Sequence, residues 1–295
     1  MDRSLLANSG FFQSKSLTRI GWLCLALILG WSSSSLAAKT EKLKWDKGPV
    51  KTPYYFFVDG PEDPYMTRLR TEFGIDKMTA NAKSDLERIE IICQWVHHQW
   101  PHKGDVPPPR NDPIQILYEA RRGATFSCRE YSLVAAGCLN SLGIKTRVVE
   151  IMPENVEELT KGSYHIVAEA YLNDLGRWAM LDPQWGVVPT LNGGPLNLVE
   201  LQDAVHDGIP RGLKFVNLPD SLSAIYAAGM ANYIYHLRVS FNNRVSTTKI
   251  PFAVMGRRGL MLIPLDAKVS KEFEAATVGR VAVTRNPKEF YGTIQ

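Results

Sequence analysis

Cysteine is scarce in this chain, with four residues in 295 and none in a C-x-x-C pair. A redox dithiol protein would lack its usual motif here. Histidine is scarce as well, at six residues. His97, His98 and His102 straddle a helix end and Pro101, with no cysteine or acidic partner at fixed spacing. No metal site is read from that pattern, and no motif calls for a cofactor. Neither sign of charge dominates. The formal charge of +4 falls to +2 once the first 38 residues, with three basic and one acidic, are set aside. No basic stripe is interleaved with aromatics, so nucleic acid is not an expected partner. There is no internal repeat, no long low-complexity tract and no linker that forces a second domain.

Long hydrophobic runs are missing too. The apolar stretch Ile20 to Trp31 is too short to span a bilayer comfortably unless the serines after it join in. It follows the last leading basic residue, Arg19, and precedes "SSSSLAA", where Ser35 and Ala37 are small residues at −3 and −1 of a cut. The pattern predicts a signal peptide over residues 1–37 and an exported mature protein, periplasmic or extracellular. A membrane enters only if this segment stays uncleaved. Export leaves Cys93, Cys128 and Cys138, an odd number, so at least one thiol stays free or pairs between molecules.

What remains is ordinary globular composition, 45% hydrophobic and 22% charged, enough for one substantial core. Residues 39–83, rich at first in proline, lysine and aromatics, are expected to be an extended segment. "SDLE" at Ser84 caps a helix with Leu86, Ile89, Ile92, Cys93, Val96 and Trp100 as its apolar stripe, stopped by Pro101. "PHKGDVPPPRNDP" reads as loop. A second helix runs from Ser127 to Gly143, followed by the strands "KTRVVEI", "HIVAEAYL" and "RWAMLD". Beyond Asp182-Pro183, "PLNLVELQDAV" and "SLSAIYAAGMANYIYHLRV" read as helices, and two or three short strands follow Lys249. The expected division is a core over 84–190 and a C-terminal extension of helices and strands, 191–295, packed on it.

Cys128 stands out by position. Ser127 and Glu130 form an S-x-x-E capping box, which makes Cys128 the first helical residue. Unpaired N–H groups and the helix dipole there favour a thiolate, and they can also receive an oxyanion. Cys138 fits the stripe Tyr131, Val134, Cys138, Leu142 and reads as core. It lies about 15 Å from Cys128 by helical rise, too far for a disulfide. A Cys93–Cys138 bridge is not demanded by spacing and stays open.

A thiolate nucleophile needs a histidine for its proton and a third group to orient that histidine. If "NDLG" closes a two- or four-residue turn, Leu172 faces Arg177 and Val167 faces Asp182. His165 and Asp182 then share one face as diagonal neighbours, while Ile166, Ala168, Ala170, Ala179 and Leu181 take the other. A three-residue turn with a bulge would break that parity.

Cys128 with Tyr131, then "LGIKTRVV", "HIVAEAY" and "RWAMLDPQWG", resemble the transglutaminase-like superfamily in content and order. The likeness runs over roughly residues 84 to 190. It implies an α+β, papain-like fold, with the cysteine helix packed on an antiparallel sheet that bears His165 and Asp182. It also implies acyl transfer or hydrolysis through a thioester; some members have lost catalysis. Ser127 stands where the family often has glycine, and Ile166 and Val167 follow the histidine in place of small or aromatic residues. The upstream oxyanion donor has three candidates, Gln94, Gln99 and Trp100. Tyr131, Trp178 and Trp185 are candidate cleft-lining residues.

Each residue also has a plainer reading. Cys128 could pack, His165 could be a satisfied strand histidine, and Asp182 before Pro183 could start a turn. Their joint occurrence favours Cys128, His165 and Asp182 as a catalytic set. The expected activity is cysteine-dependent acyl transfer on a peptide or protein, more a peptidase or amidase than a cross-linker. The alternative is a non-catalytic relative that binds a peptide or cell-envelope partner.

Overall fold

The computed structural model describes residues 42–103, 111–159, 164–206, 208–246, 253–254, 256–268 and 281–295. The expected signal segment, 1–37, lies outside them. The chain divides into two units, Met1–Ala38 and Lys39–Gln295, and everything below concerns the second.

Four helices lead into the site. Asp63 caps α1 (Pro64–Glu72), whose proline at the first turn gives up an N–H that would have no partner anyway. Helix α2 (Ile75–Thr79) follows, then α3 (Asp85–His97), where the Ser84 hydroxyl accepts from the Glu87 N–H at 3.1 Å. The segment expected to be extended is therefore helical from Pro64 onward. Buried Met66, Leu69 and Ile75 give these helices an apolar face too short to register as a long period. Helix α3 ends three residues before Trp100, earlier than expected. Helix α4 (Pro113–Arg121) was not anticipated, although Asp112 and Pro113 are a start signal. Helix α5 (Cys128–Ser141) is the central one, buried almost throughout from Glu130 to Ser141. Gly137 lets it approach its neighbours: a Cβ there would stand 3.0 Å from Pro113 and 3.3 Å from Leu69.

The main sheet has six strands. Strands β2 (Thr146–Met152), β3 (His165–Leu172) and β4 (Arg177–Leu181) are antiparallel, after the short β1 (Tyr55–Phe56). Leu172 pairs Arg177 and Ala168 pairs Leu181, the register expected from the turn. Strands β5 (Val188–Leu191), β6 (Gly194–Pro195) and β7 (Leu213–Val216) form a small separate sheet around α6 (Leu198–Val205). Helix α7 (Asp220–Tyr233) ends before "HLRV", which becomes β8 (His236–Ser240), not helix. With β9 (Gly259–Leu262) and β10 (Val281–Thr284), the strand order is β10-β9-β8-β2-β3-β4, antiparallel except for the parallel pair β9–β10. A last short helix, α8 (Pro287–Phe290), leads to β11 (Thr293–Ile294), parallel to β1.

The strands after residue 235 thus continue the core sheet, whereas an extension packed on a finished core was expected. Ala168, Ala170, Ala179 and Leu181 face the α1, α3, α4 and α5 helices. Val149, Val167, Met180 and Val239 face α6, α7 and the segments around Phe56 and Phe290. No helix among the described residues is long and apolar enough to cross a membrane.

Candidate active site

The site forms where the first turn of α5 meets the start of β3. Glu130 accepts from the Ser127 backbone N–H at 3.0 Å and from its hydroxyl at 2.6 Å, which fixes the helix start. One turn on, the Ser132 hydroxyl donates to the Ile166 carbonyl at 3.0 Å and ties the helix to β3 beside His165. Cys128 is half-buried at the first helical position.

His165 Nε2 lies 2.8 Å from Asp182 Oδ2. Nδ1 is the ring nitrogen left to face the thiol. Burial works against a charged imidazole here. The charge and hydrogen bond of Asp182, joined by hydrogen bonding and charge from Cys128, outweigh it and push His165 up to about 10 from an ordinary 6.5.

Asp182 is fully buried. Its Oδ1 accepts from the Gln184 N–H at 3.2 Å and the Trp185 N–H at 3.4 Å. Its Oδ2 also accepts from the Tyr226 hydroxyl at 3.0 Å. The turn after it closes by a bridge between Asp182 and Val187. Gly186 makes that turn possible: its φ is +68°, and a Cβ would fall 2.5 Å from Gln94 Nε2.

Two tyrosines and a histidine were not expected at the site. Tyr226 and Tyr233 are seven residues apart, two turns of α7, and so share a face. The Tyr233 ring is 6.4 Å from that of His165, and burial together with the charge of Cys128 raises its hydroxyl's pKa. Burial lowers His102, helped by the nearby positive charge of His165. The spacing of the tyrosines was readable, but nothing local says which sheet face α7 covers.

The oxyanion candidates fare differently. Gln94 Nε2 donates to the Gly186 carbonyl at 2.7 Å, and Gln99 Nε2 to the Trp95 carbonyl at 2.8 Å. Each amide thus has one N–H committed to the fold. The Trp100 indole N–H is buried with no hydrogen-bond partner among the described residues, against Tyr131 at 4.5 Å between ring centres. Trp100 is the candidate whose single donor makes no hydrogen bond among the described residues. Tyr131 is itself buried, its hydroxyl donating to the Trp100 carbonyl, so it supports the site from beneath and does not line a cleft.

Trp185, whose backbone N–H bonds Asp182, packs edge-on against Tyr226 at 5.7 Å. Trp178 does not wall the Asp182 side as expected. Four residues back along β4, about 13 Å from Asp182 by strand rise, it is stacked under Arg147. Cys93 and Cys138 are buried free thiols, with Cys93 Sγ 3.5 Å from the Val187 carbonyl. His97 Nδ1 donates to the Gln184 carbonyl at 2.7 Å, a structural contact on the same turn.

Tyr226→Phe removes one donor from a buried carboxylate and should cost about 1.5–3 kcal/mol of stability, read by urea unfolding. A loss within experimental error would mean the hydroxyl contributes nothing to holding Asp182.

Residues 75–183 match the family model of the transglutaminase-like superfamily, which bears out the resemblance carried by the sequence motifs. Solved structures similar to this chain include the following two. One, described as a candidate cysteine protease from Cytophaga hutchinsonii, is 16% identical with a TM-score of 0.34 and covers 54% of each chain. The other, a candidate protease from Parabacteroides distasonis, is 16% identical with a TM-score of 0.30. That match takes in 41% of this chain and 24% of the other. The chain thus spans about half and a quarter of these two structures. No curated protein matches it.

Proposed function

We propose that this protein is an exported cysteine-dependent acyl-transfer enzyme that cleaves amide bonds in a peptide or protein. The observation that supports it is that helix-N-terminal Cys128 and buried Asp182 both act on His165, Asp182 at 2.8 Å from the ring and Cys128 through hydrogen bonding and charge. The Cys128 sulfur attacks the carbonyl carbon, and the carbonyl oxygen takes the negative charge beside the Cys128 N–H. His165, as imidazolium, gives its Nδ1 proton to the leaving amine, and the C–N bond breaks to leave a thioester. Water then attacks the thioester, His165 takes its proton, and the thiolate and a carboxylic acid are released. Asp182 holds the ring in the working tautomer throughout. Water is always at hand as acceptor, which favours hydrolysis over cross-linking. The second reading, a binding protein without turnover, is favoured by the hydrogen bonds that already turn the Gln94 and Gln99 amides toward the Gly186 and Trp95 carbonyls.

Iodoacetamide labelling of the mature protein across pH, with peptide mapping, separates the two. Cys128 should label rapidly at acidic pH, where an ordinary thiol is unreactive, and lose this in folded His165→Ala. Labelling that rises only at alkaline pH, unchanged in His165→Ala, would sink the enzyme reading.

A further inference from the structure

Of the six histidines in the chain, all but His102 commit a ring nitrogen to a hydrogen bond. His165 bonds Asp182, His97 the Gln184 carbonyl, His98 the Gln94 carbonyl, His206 the Asp203 carbonyl and His236 the backbone of Glu154. His102 makes no hydrogen bond among the described residues, and it is only half-buried.

Its place is set from three sides. The Lys103 N–H donates to the Phe126 carbonyl at 3.1 Å, which fastens the residue after His102 to the one before Ser127. The His102 ring lies nearly parallel to that of Tyr131, with 6.4 Å between centres and 25° between planes. Tyr131 follows Cys128 by three residues in α5, so the two share a helix face. From the third side, the positive charge of His165 reaches His102. All three neighbours flank Cys128: one leads into it, one follows a turn later and one is its base. Burial, with the His165 charge added, lowers the His102 pKa from an ordinary 6.5 against the pull of Asp182. The ring is therefore uncharged near pH 7 and keeps one N–H to give.

Attack on a carbonyl gains from a second donor beside the Cys128 N–H, and that donor has to be reachable. The Gln94 and Gln99 amides already turn toward other carbonyls. The Trp100 indole N–H is shut away between Phe126 and Tyr131, at 5.4 and 4.5 Å between ring centres, in a residue only 4% exposed. Tyr233 comes from α7 and lies against the His165 ring, away from the segment that carries the Cys128 N–H. We propose that His102 is a catalytic residue whose imidazole N–H, together with the Cys128 backbone N–H, binds the carbonyl oxygen as it becomes an oxyanion. This rests on the function proposed above. The C=O pair moves onto oxygen as the C–S bond forms and returns as the leaving group departs. His102 keeps its proton throughout.

The test compares two reactions of Cys128. In p-nitrophenyl acetate the thiolate attacks a carbonyl, expels p-nitrophenolate and leaves S-acetyl Cys128, which peptide mapping locates. Iodoacetamide is the control, because displacing iodide at a saturated carbon forms no oxyanion. His102→Phe keeps a ring against Tyr131 and removes the N–H. It should slow acetylation at least about tenfold and leave iodoacetamide labelling within about twofold of the parent. His102→Gln, which restores an N–H, should recover most of the loss. If His102→Phe does not fold, His102→Ala makes the same comparison.

Acetylation that stays at the parent's rate without the His102 N–H overturns the proposal. A parallel fall of both reactions in His102→Phe and His102→Ala also overturns it, and makes His102 a support for the Cys128–His165 pair. A fall in acetylation confined to Tyr233→Phe overturns it in favour of that hydroxyl. Rapid labelling of the parent without acetylation of Cys128 overturns the oxyanion role and leaves the thiolate in place. Labelling of the parent only at alkaline pH overturns the function proposed above, and this role with it.

Discussion

Asp182→Asn is expected to lower turnover on the order of 10³- to 10⁴-fold while leaving the protein folded. The carboxylate accepts from His165 Nε2, the Tyr226 hydroxyl and the N–H groups of Gln184 and Trp185. An asparagine has one acceptor oxygen and a donor NH₂. With the oxygen held by the two backbone N–H groups, the NH₂ must face His165 Nε2, which then accepts. The ring proton moves to Nδ1, the nitrogen facing Cys128, and the imidazole can no longer take the thiol proton. The same variant tests the charge argument. His165 titrates higher folded, at about 10, than its ordinary 6.5, so the pair's stabilisation is complete below about 6.5 and fades as pH rises through about 10. Between those values the folded state holds a proton that the unfolded state has released. Melting curves across that window should fall with pH in the parent and flatten in Asp182→Asn. A loss of turnover under about tenfold, with the parent's pH slope retained, would remove Asp182 from the mechanism.

The largest expected stability effect lies at Glu169, well away from Cys128. Arg147 and Glu169 are directly opposed on β2 and β3, both fully buried, with an N–O distance of 2.9 Å. Arg147 also donates to the Phe290 carbonyl at 2.8 Å and stacks with Trp178 at 4.3 Å, Phe290 at 4.5 Å and Phe56 at 4.9 Å. Glu169 accepts from the Leu198 N–H at the start of α6 and from the Tyr291 hydroxyl. The pair thus fastens α6 and the segments around Phe56 and Phe290 to one sheet face. Glu169→Ala leaves a buried guanidinium without its counter-charge and should cost about 3–5 kcal/mol in urea unfolding. Replacing both residues together, Arg147→Met with Glu169→Leu, should recover much of that loss, because the isolated charge is gone. A single variant within about 1 kcal/mol of the parent would show that water or a rearranged partner satisfies Arg147.

Most of what concerns single elements was legible in the residues. Ser84 and Ser127 marked helix starts because a capping side chain and its acidic partner sit three residues apart. "NDLG" set the β3–β4 register, and strand parity then placed His165 and Asp182 on one face, where the structure joins them. Cys128 at the first turn of α5 followed from the cap alone. These features depend on contacts a few residues apart, or on one short turn, and chain geometry fixes them.

Tertiary structure decided the rest. Trp178 shares the strand of Asp182's approach but lies about four residues of rise away, stacked on Arg147, and parity carries no information on distance along the strand. Tyr226 and Tyr233 reach the site because α7 crosses one particular sheet face, and β8 to β10 extend the sheet on the far side of β2. Local periodicity specifies which side of an element is apolar; it does not specify which other element will cover it. That choice is made by packing between distant segments, and it determines which groups surround Asp182.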